Sequence, residues 1–501
     1  MRTYQLQDLH DWAERASAMA QEFGLDCFPQ EFEICDHEQM LGYMSYSGMP
    51  SHYPHWSYGK QFEKQKTMYD YGVSGLPYEM VINSNPCLAY LMRDNSLLLQ
   101  VLTIAHVYGH NDFFKNNFTF AHTQPEYVLQ KFKMHADRIR GYVEDPGIGV
   151  DRVEAMIDAA HALSLQCQRN MQIKRSSPDQ VREQIIRAYE REAGDKYDED
   201  ELRRRLRHNP PAPEENLLEF IRDNNPELAE WQRDIISIVV EQTRYFIPQM
   251  ETKIMNEGWA SYWHHAIMTS LDLPQDMHME FLVRHAQVLR PHPGGLNPYH
   301  LGYKVLNAIR IWYDGALDEK SLRPDEHSLY VKMREDFEQR DAIPFDTRDV
   351  AGTQKLFQVR EADRDKSFLR QYLTPAIMED LNLFEFERRQ NHRGQRVGMV
   401  TNTSNTEGWR HVKESLLANI GTESLPVIKI EDAGYGGIGT LLLRHYSDGR
   451  ELEASYAQHT LKYVKQLWHR AVRLEAIIAG KETAFTVDMD GNLDTKPRKA
   501  A

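Results

Sequence analysis

The nine residues from Met255 to Trp263 read Met-Asn-Glu-Gly-Trp-Ala-Ser-Tyr-Trp, and Glu257 is the one charged side chain among them. A carboxylate set among Gly258, Trp259, Ala260, Tyr262 and Trp263 belongs to a buried face, where it needs a cation or hydrogen-bond donors. The chain is therefore constrained to bring such groups to Glu257. A partner set stands upstream. His106-Val107-Tyr108-Gly109-His110 puts two imidazoles four residues apart, about one helical turn, so both leave the same face and can meet one ion.

With 501 residues the chain can hold two or three domains and a large core. The 74 acids against 59 bases give a formal charge of −15, which excludes a general nucleic-acid binder held by phosphate contacts. The first ten residues lack the apolar stretch of a signal peptide. Leu97 to Val107 comes closest to a membrane span and is both too short and interrupted by Gln100, so no membrane span is expected. Cys27, Cys35, Cys87 and Cys167 form no Cys-x-x-Cys pair and fit reduced thiols, which points to the cytoplasm.

The expected fold class is mainly α: a helical core with an irregular N-terminal segment and a small C-terminal α+β domain. Helical spacing covers Leu6 to about Phe23, whereas residues 40 to 85, rich in Tyr, Gly, Pro and Trp, read as irregular structure with a short strand near Val81-Ile82-Asn83. Helices are expected over Leu88–Asn117, Pro125–Val143 and Gly149–Met171, from Glu214 through Trp231 to Ile247 and on through Glu257, then over Pro274–Leu289, Tyr299–Asp314 and Asp325–Arg340. Residues 176–213 form a charged arm, a solvated helix plus linker. The core is expected over 1–390 and the α+β domain over 395–485. The latter should contain strands at Leu425–Ile430 and Thr440–Tyr446, a hairpin through Ser447-Asp448-Gly449-Arg450 to Glu451–Ser455, and a helix over Gln458–Ile478. Residues 486–501 read as a flexible tail. Gly434-Tyr435-Gly436-Gly437-Ile438-Gly439 matches Gly-x-Gly-x-x-Gly in form. A strand and not a helix follows it, so it reads as a glycine-rich loop and not a dinucleotide site.

Three helical segments carry acids and imidazoles on one face: His106 and His110 with Asn111 behind them, Glu154 with Asp158 and His161, and Glu257 with His264. Seven helical positions span about 10 Å, so one ion does not take both Glu257 and His264, nor both Glu154 and His161. The favoured set is a divalent cation, zinc first, on His106, His110 and Glu257. His161, His264 and Asn111 then orient ligands or stand in for them. Two histidines at this spacing also pack without metal, and the Glu154 face also reads as plain polar helix surface; the Glu257 string tips the balance toward an ion.

The Glu257 string resembles the segment that supplies the third zinc ligand in gluzincin metallopeptidases, with one departure. Val107 stands where their general-base glutamate follows the first histidine. Glu154, and after it Asp158, are the acids expected to replace that base. Longer strings resemble the stage V sporulation protein R (SpoVR) family: Tyr53 to Lys60, Ile82 to Cys87, Gly109 to Asn117, Asn256 to Trp259 and Asn297 to Gly302. The resemblance implies a role in spore cortex formation or stress response. It also implies, as partners, a PrkA-type AAA+ serine kinase and a von Willebrand-type protein. The expected function is a zincin-like hydrolase of an amide or peptide bond. The alternative is an adaptor without catalysis that keeps a metal or polar core for stability.

Overall fold

The computed structural model describes residues 4–71, 79–168, 173–291, 295–346, 349–390, 396–404 and 408–497. They are mainly helical, with a small C-terminal sheet. Two compact units result, one of Met1–His52, Ser57–Lys131 and Pro248–Ser424, the other of Tyr53–Trp56, Phe132–Ile247 and Leu425–Ala501. No helix among the described residues is long and apolar enough to cross a membrane.

The chain begins with α1 (Leu6–Glu22), β1 (Gln30–Cys35), α2 (His37–Ser45), α3 (Trp56–Asp70), β2 (Met80–Ile82), β3 (Cys87–Met92) and α4 (Leu97–Asn116). In the first unit β3 lies between β1 and β2, parallel to β1 and antiparallel to β2. Two expectations are corrected here. Residues 40–85 hold α2 and α3 besides β2; α3 buries no residue, so it carries no apolar stripe for periodicity to detect. The helix expected from Leu88 is split, with β3 first and α4 starting at Leu97. Cys87 to Met92 is a short continuous apolar run, for which period alone cannot tell strand from helix.

Next come α5 (Val128–Glu144), α6 (Val150–Leu163), α7 (Pro178–Ala193), α8 (Glu199–Leu206), α9 (Leu217–Asn224), α10 (Glu230–Glu251) and α11 (Lys253–Ser270). The helix expected to reach Met171 ends at Leu163, and residues 169–172 lie outside the described set. The charged arm forms α7 and α8. Then follow α12 (Gln275–Val288), α13 (Pro298–Leu317), α14 (Pro324–Gln339), α15 (Gly352–Ala362), α16 (Asp365–Tyr372), α17 (Pro375–Asp380), the hairpin β4 (Phe384–Gln390) and β5 (Arg396–Thr403), and α18 (Trp409–Asn419).

The first unit is built on α4, α11 and α13. Ser96 caps α4 by accepting the Leu99 N–H at 3.2 Å, and the helix is buried without a break from Gln100 to Phe114. Glycines permit this depth of packing. A Cβ on Gly109 would stand 2.6 Å from the Ala260 Cα, and one on Gly258 would stand 2.5 Å from the Gly302 Cα. The three backbones thus approach where only small residues fit, and Trp259, Trp263, Phe113 and Ile309 fill the surrounding core.

In the second unit, β6 (Ile428–Tyr435), β7 (Thr440–His445), α19 (Ala454–Trp468), β8 (Val472–Ile478), β9 (Lys481–Val487) and β10 (Leu493–Pro497) form a sheet of order β10-β9-β8-β7-β6. The hairpin here is β6–β7, turned by Gly436, Gly437 and Gly439 at φ +68°, +73° and +75°, and not the one expected through Ser447 to Arg450. Glu453 caps α19 in place of the strand expected at Glu451–Ser455. The helix expected to reach Ile478 stops at Trp468. His469 adopts φ 65°, and the alternating run from Val472 becomes β8, parallel to β7. Within the expected tail, Leu493–Pro497 pairs antiparallel with β9.

Candidate metal centre

Asp365 fixes the start of α11 by accepting the Ile254 and Met255 N–H groups, both at 2.8 Å. Glu257 follows less than a turn later and points at α4. There His106 and His110 share a face as their spacing requires, with ring centroids 4.7 Å apart. A fourth group enters from the residue just before β2. Glu79 Oε1 lies 3.3 Å from His106 Nε2 and 4.0 Å from His110 Nε2. Glu257 Oε2 lies 3.7 and 3.4 Å from the same two nitrogens.

These four residues each offer one ligand atom within 4.8 Å of all the others. A tetrahedral shell with bonds of about 2.0–2.1 Å has donor–donor edges near 3.4 Å, so the spacing fits a first-row divalent ion. The chemistry fits as well. Glu79 Oε2 and Glu257 Oε2 are buried acceptors without a hydrogen-bond donor among the described residues. With exposures of 9%, 0%, 3% and 5% for Glu79, His106, His110 and Glu257, water does not screen two carboxylates facing each other. Nitrogen and oxygen donors without sulfur suit zinc, iron or manganese more than copper(I).

The electrostatics show how strongly the pocket favours positive charge. Burial alone would raise the Glu257 carboxyl, but the Lys253 ammonium and the facing imidazoles outweigh it and hold it well below the usual range. Lys253, one turn earlier on α11, pairs with Glu257 Oε1, leaving Oε2 toward the histidines. Glu79 is likewise brought below its ordinary value by His106 and His110 against the effect of burial. Burial would lower His110, yet the two carboxylates raise it to about 10. The Tyr299 hydroxyl donates to Glu79 Oε1 at 3.3 Å. Burial first, then Glu257 and Glu79, push its ionisation far up, so the phenol keeps its proton.

Both histidines present Nε2 to the cluster and anchor Nδ1 elsewhere. His110 Nδ1 pairs with Asn256 Oδ1 at 2.8 Å, and His106 Nδ1 with His264 Nδ1 at 2.7 Å. His264 Nε2 in turn meets His285 Nδ1 at 2.8 Å. Burial and neighbouring imidazoles hold His264 well below the ordinary histidine value, and burial with His265 pushes His285 down to about 4, so both are neutral.

The structure thus brings His106, His110 and Glu257 together and places His264 behind His106. Asn111 is turned elsewhere. It accepts the Phe28 N–H at 2.7 Å and donates to the Phe28 carbonyl and Gln30 Oε1, joining the start of β1 to α4. Glu154, Asp158 and His161 share a face of α6 in the second unit. There Asp158 accepts the Trp56 indole N–H at 2.9 Å and faces His55 Nε2 at 3.3 Å, while His161 Nε2 meets the Tyr53 hydroxyl at 2.6 Å. Glu79, Asn256 and Tyr299 escaped the sequence reading. Glu79 had a usable signal: it is the one charged residue between Asp70 and Arg93, an acid isolated in apolar chain just as Glu257 is.

Residues 3–425 match the family described as SpoVR like protein, and residues 426–479 match the SpoVR-like C-terminal domain. A relative in Escherichia coli (strain K12), described as uncharacterized protein YcgB, is 31% identical over 509 residues, covering 94% of each chain. No solved structure matches the chain.

Proposed function

The chain belongs to the SpoVR family, and from that premise and the geometry of the cluster we propose that it is a zincin-like, metal-dependent hydrolase of an amide or peptide bond. The carrying observation is a buried set of two histidines and two glutamates whose ligand atoms all lie within 4.8 Å of one another. His106, His110 and Glu257 would hold the ion. A bound ion would supply Lewis acidity, polarising a carbonyl and bringing the pKa of water at the site to about 7.

The remaining residues divide the work. Val107 is fully buried and apolar, so the base comes from another element. Glu79 faces both imidazoles, its Oε1 3.3 Å from His106 Nε2 and 4.0 Å from His110 Nε2, and is placed to take a proton from water at the site. The sequence alone points to Glu154 or Asp158 for this role. Glu79 suits it better because it already lies in the donor cluster, whereas Asp158 serves Trp56 and His55. The Tyr299 phenol, protonated and within reach of Glu79, is placed to donate a hydrogen bond to developing negative charge. Lys253 holds Glu257 by its outer oxygen.

Glu79→Gln should keep the metal and abolish hydrolysis of a peptide library, while Glu257→Gln loses both. Unchanged turnover in Glu79→Gln overturns the assignment. The burial of the whole ligand set favours one other reading: a structural ion in an adaptor acting with the kinase and von Willebrand-type partners that the family resemblance implies. Under that reading, metal removal unfolds the first unit, and hydrolysis is absent from wild type and variants alike.

A further inference from the structure

We infer that His285 is a positioning residue for the metal centre, acting on it from two hydrogen bonds away through a one-way chain of imidazole tautomers. The inference rests on the metal reading above and extends it to residues outside the ligand set. Among the described residues, the hydrogen bond and ring contacts of His285 are with His264, His265, Phe281 and Tyr303, and not with the cluster.

A neutral imidazole has one N–H and one lone pair, so each contact in the chain fixes the next. His106 Nε2 faces Glu79 and Glu257, and a cation there takes its lone pair. The ring's proton is then on Nδ1, which donates to His264 Nδ1 at 2.7 Å. His264 Nδ1 is thereby an acceptor, so its proton is on Nε2, which donates to His285 Nδ1 at 2.8 Å. His285 keeps its own proton on Nε2. Every hydrogen bond in the chain points away from the ion.

Reversal is incompatible with metal. If His264 donated through Nδ1, the His106 proton would move to Nε2, and the lone pair meant for the ion would be lost. His264 is fully buried, so an acceptor for its Nε2–H has to come from protein, and His285 supplies it. Removing that acceptor removes the preference of His264, and hence of His106, for the tautomer that binds.

The test measures Zn²⁺ affinity by competition with a chromophoric chelator in wild type, His285→Ala and His285→Asn. Asparagine puts a carbonyl oxygen where Nδ1 stood and can still accept. Alanine should weaken binding about tenfold, the low end of the usual loss when an outer partner of a metal ligand is removed, and asparagine should stay within about twofold of wild type. Spectra of nitrogen-labelled histidine in the Zn²⁺-loaded wild type should show His264 and His285 in the Nε2–H form. Alanine binding as tightly as wild type, asparagine binding as weakly as alanine, or an Nδ1–H His264 overturns the relay. A wild type that takes up no Zn²⁺ overturns the metal reading itself, which separates the two failures.

Discussion

Glu257 and Glu79 show at single-residue scale why an acid in an apolar setting is informative. Each has a buried carboxylate oxygen with no hydrogen-bond donor among the described residues, and each faces the same two imidazoles. Glu257 is the carboxylate assigned to hold the ion, so Glu257→Gln should weaken Zn²⁺ binding by about 100-fold or more in a chelator competition, and Glu79→Gln should not. His161 allows a separate prediction. Burial first, then His55, push it down to about 4, with Asp158 acting the other way. Between about pH 6.5 and 4 the unfolded chain binds a proton that the folded one refuses, so this contribution is intact above 6.5 and lost as pH falls. The thermal midpoint should drop across that window, by the equivalent of about 3 kcal/mol, and His161→Gln should flatten the drop. What sequence could show here was the chemistry of Glu257, His106 and His110. It could not show Tyr299 or Asn256, because a neutral polar residue in a helix gives no sign of what it faces.

At the scale of elements, the site depends on how closely α4, α11 and α13 pack. Gly258 meets Gly302 backbone to backbone, so Gly258→Ala should cost about 3 kcal/mol in thermal or denaturant unfolding and weaken metal binding with it. Gly59, exposed in α3 with nothing within 4 Å of its would-be Cβ, is the control. Gly59→Ala should stabilise by about 0.5–1 kcal/mol. Equal effects at the two positions would refute the close crossing. The contrast also explains which elements could be read from the sequence. The expectations for α1, α5, α12, α13 and α14 match the observed helices to within a few residues, each carrying a spaced apolar face or clear end signals. The missed α3 has no apolar face. The misplaced β3 and β8 were merged into neighbouring helices because short apolar runs carry no decisive period.

For the whole molecule, the two compact units bear on the account differently. All four cluster residues, with Lys253, Tyr299, His264 and His285, belong to the first unit. Saturating metal at about 1,000 times Kd should add about 4 kcal/mol to that unit, visible as slower amide hydrogen exchange in α4 and α11. Exchange in β7 and β8 of the second unit should not change. Uniform slowing across both units would contradict a local site. The linear sequence gave little warning of this division, since each unit is assembled from separated segments and contiguity is what composition and period detect.

The most direct measurement is metal content by elemental analysis of untagged protein, wild type beside Glu257→Gln and His110→Ala. One divalent ion per wild-type chain, lost in both variants while their helical content is retained, is the predicted result. A wild type without stoichiometric metal, or variants that carry as much as wild type, would contradict the central claim.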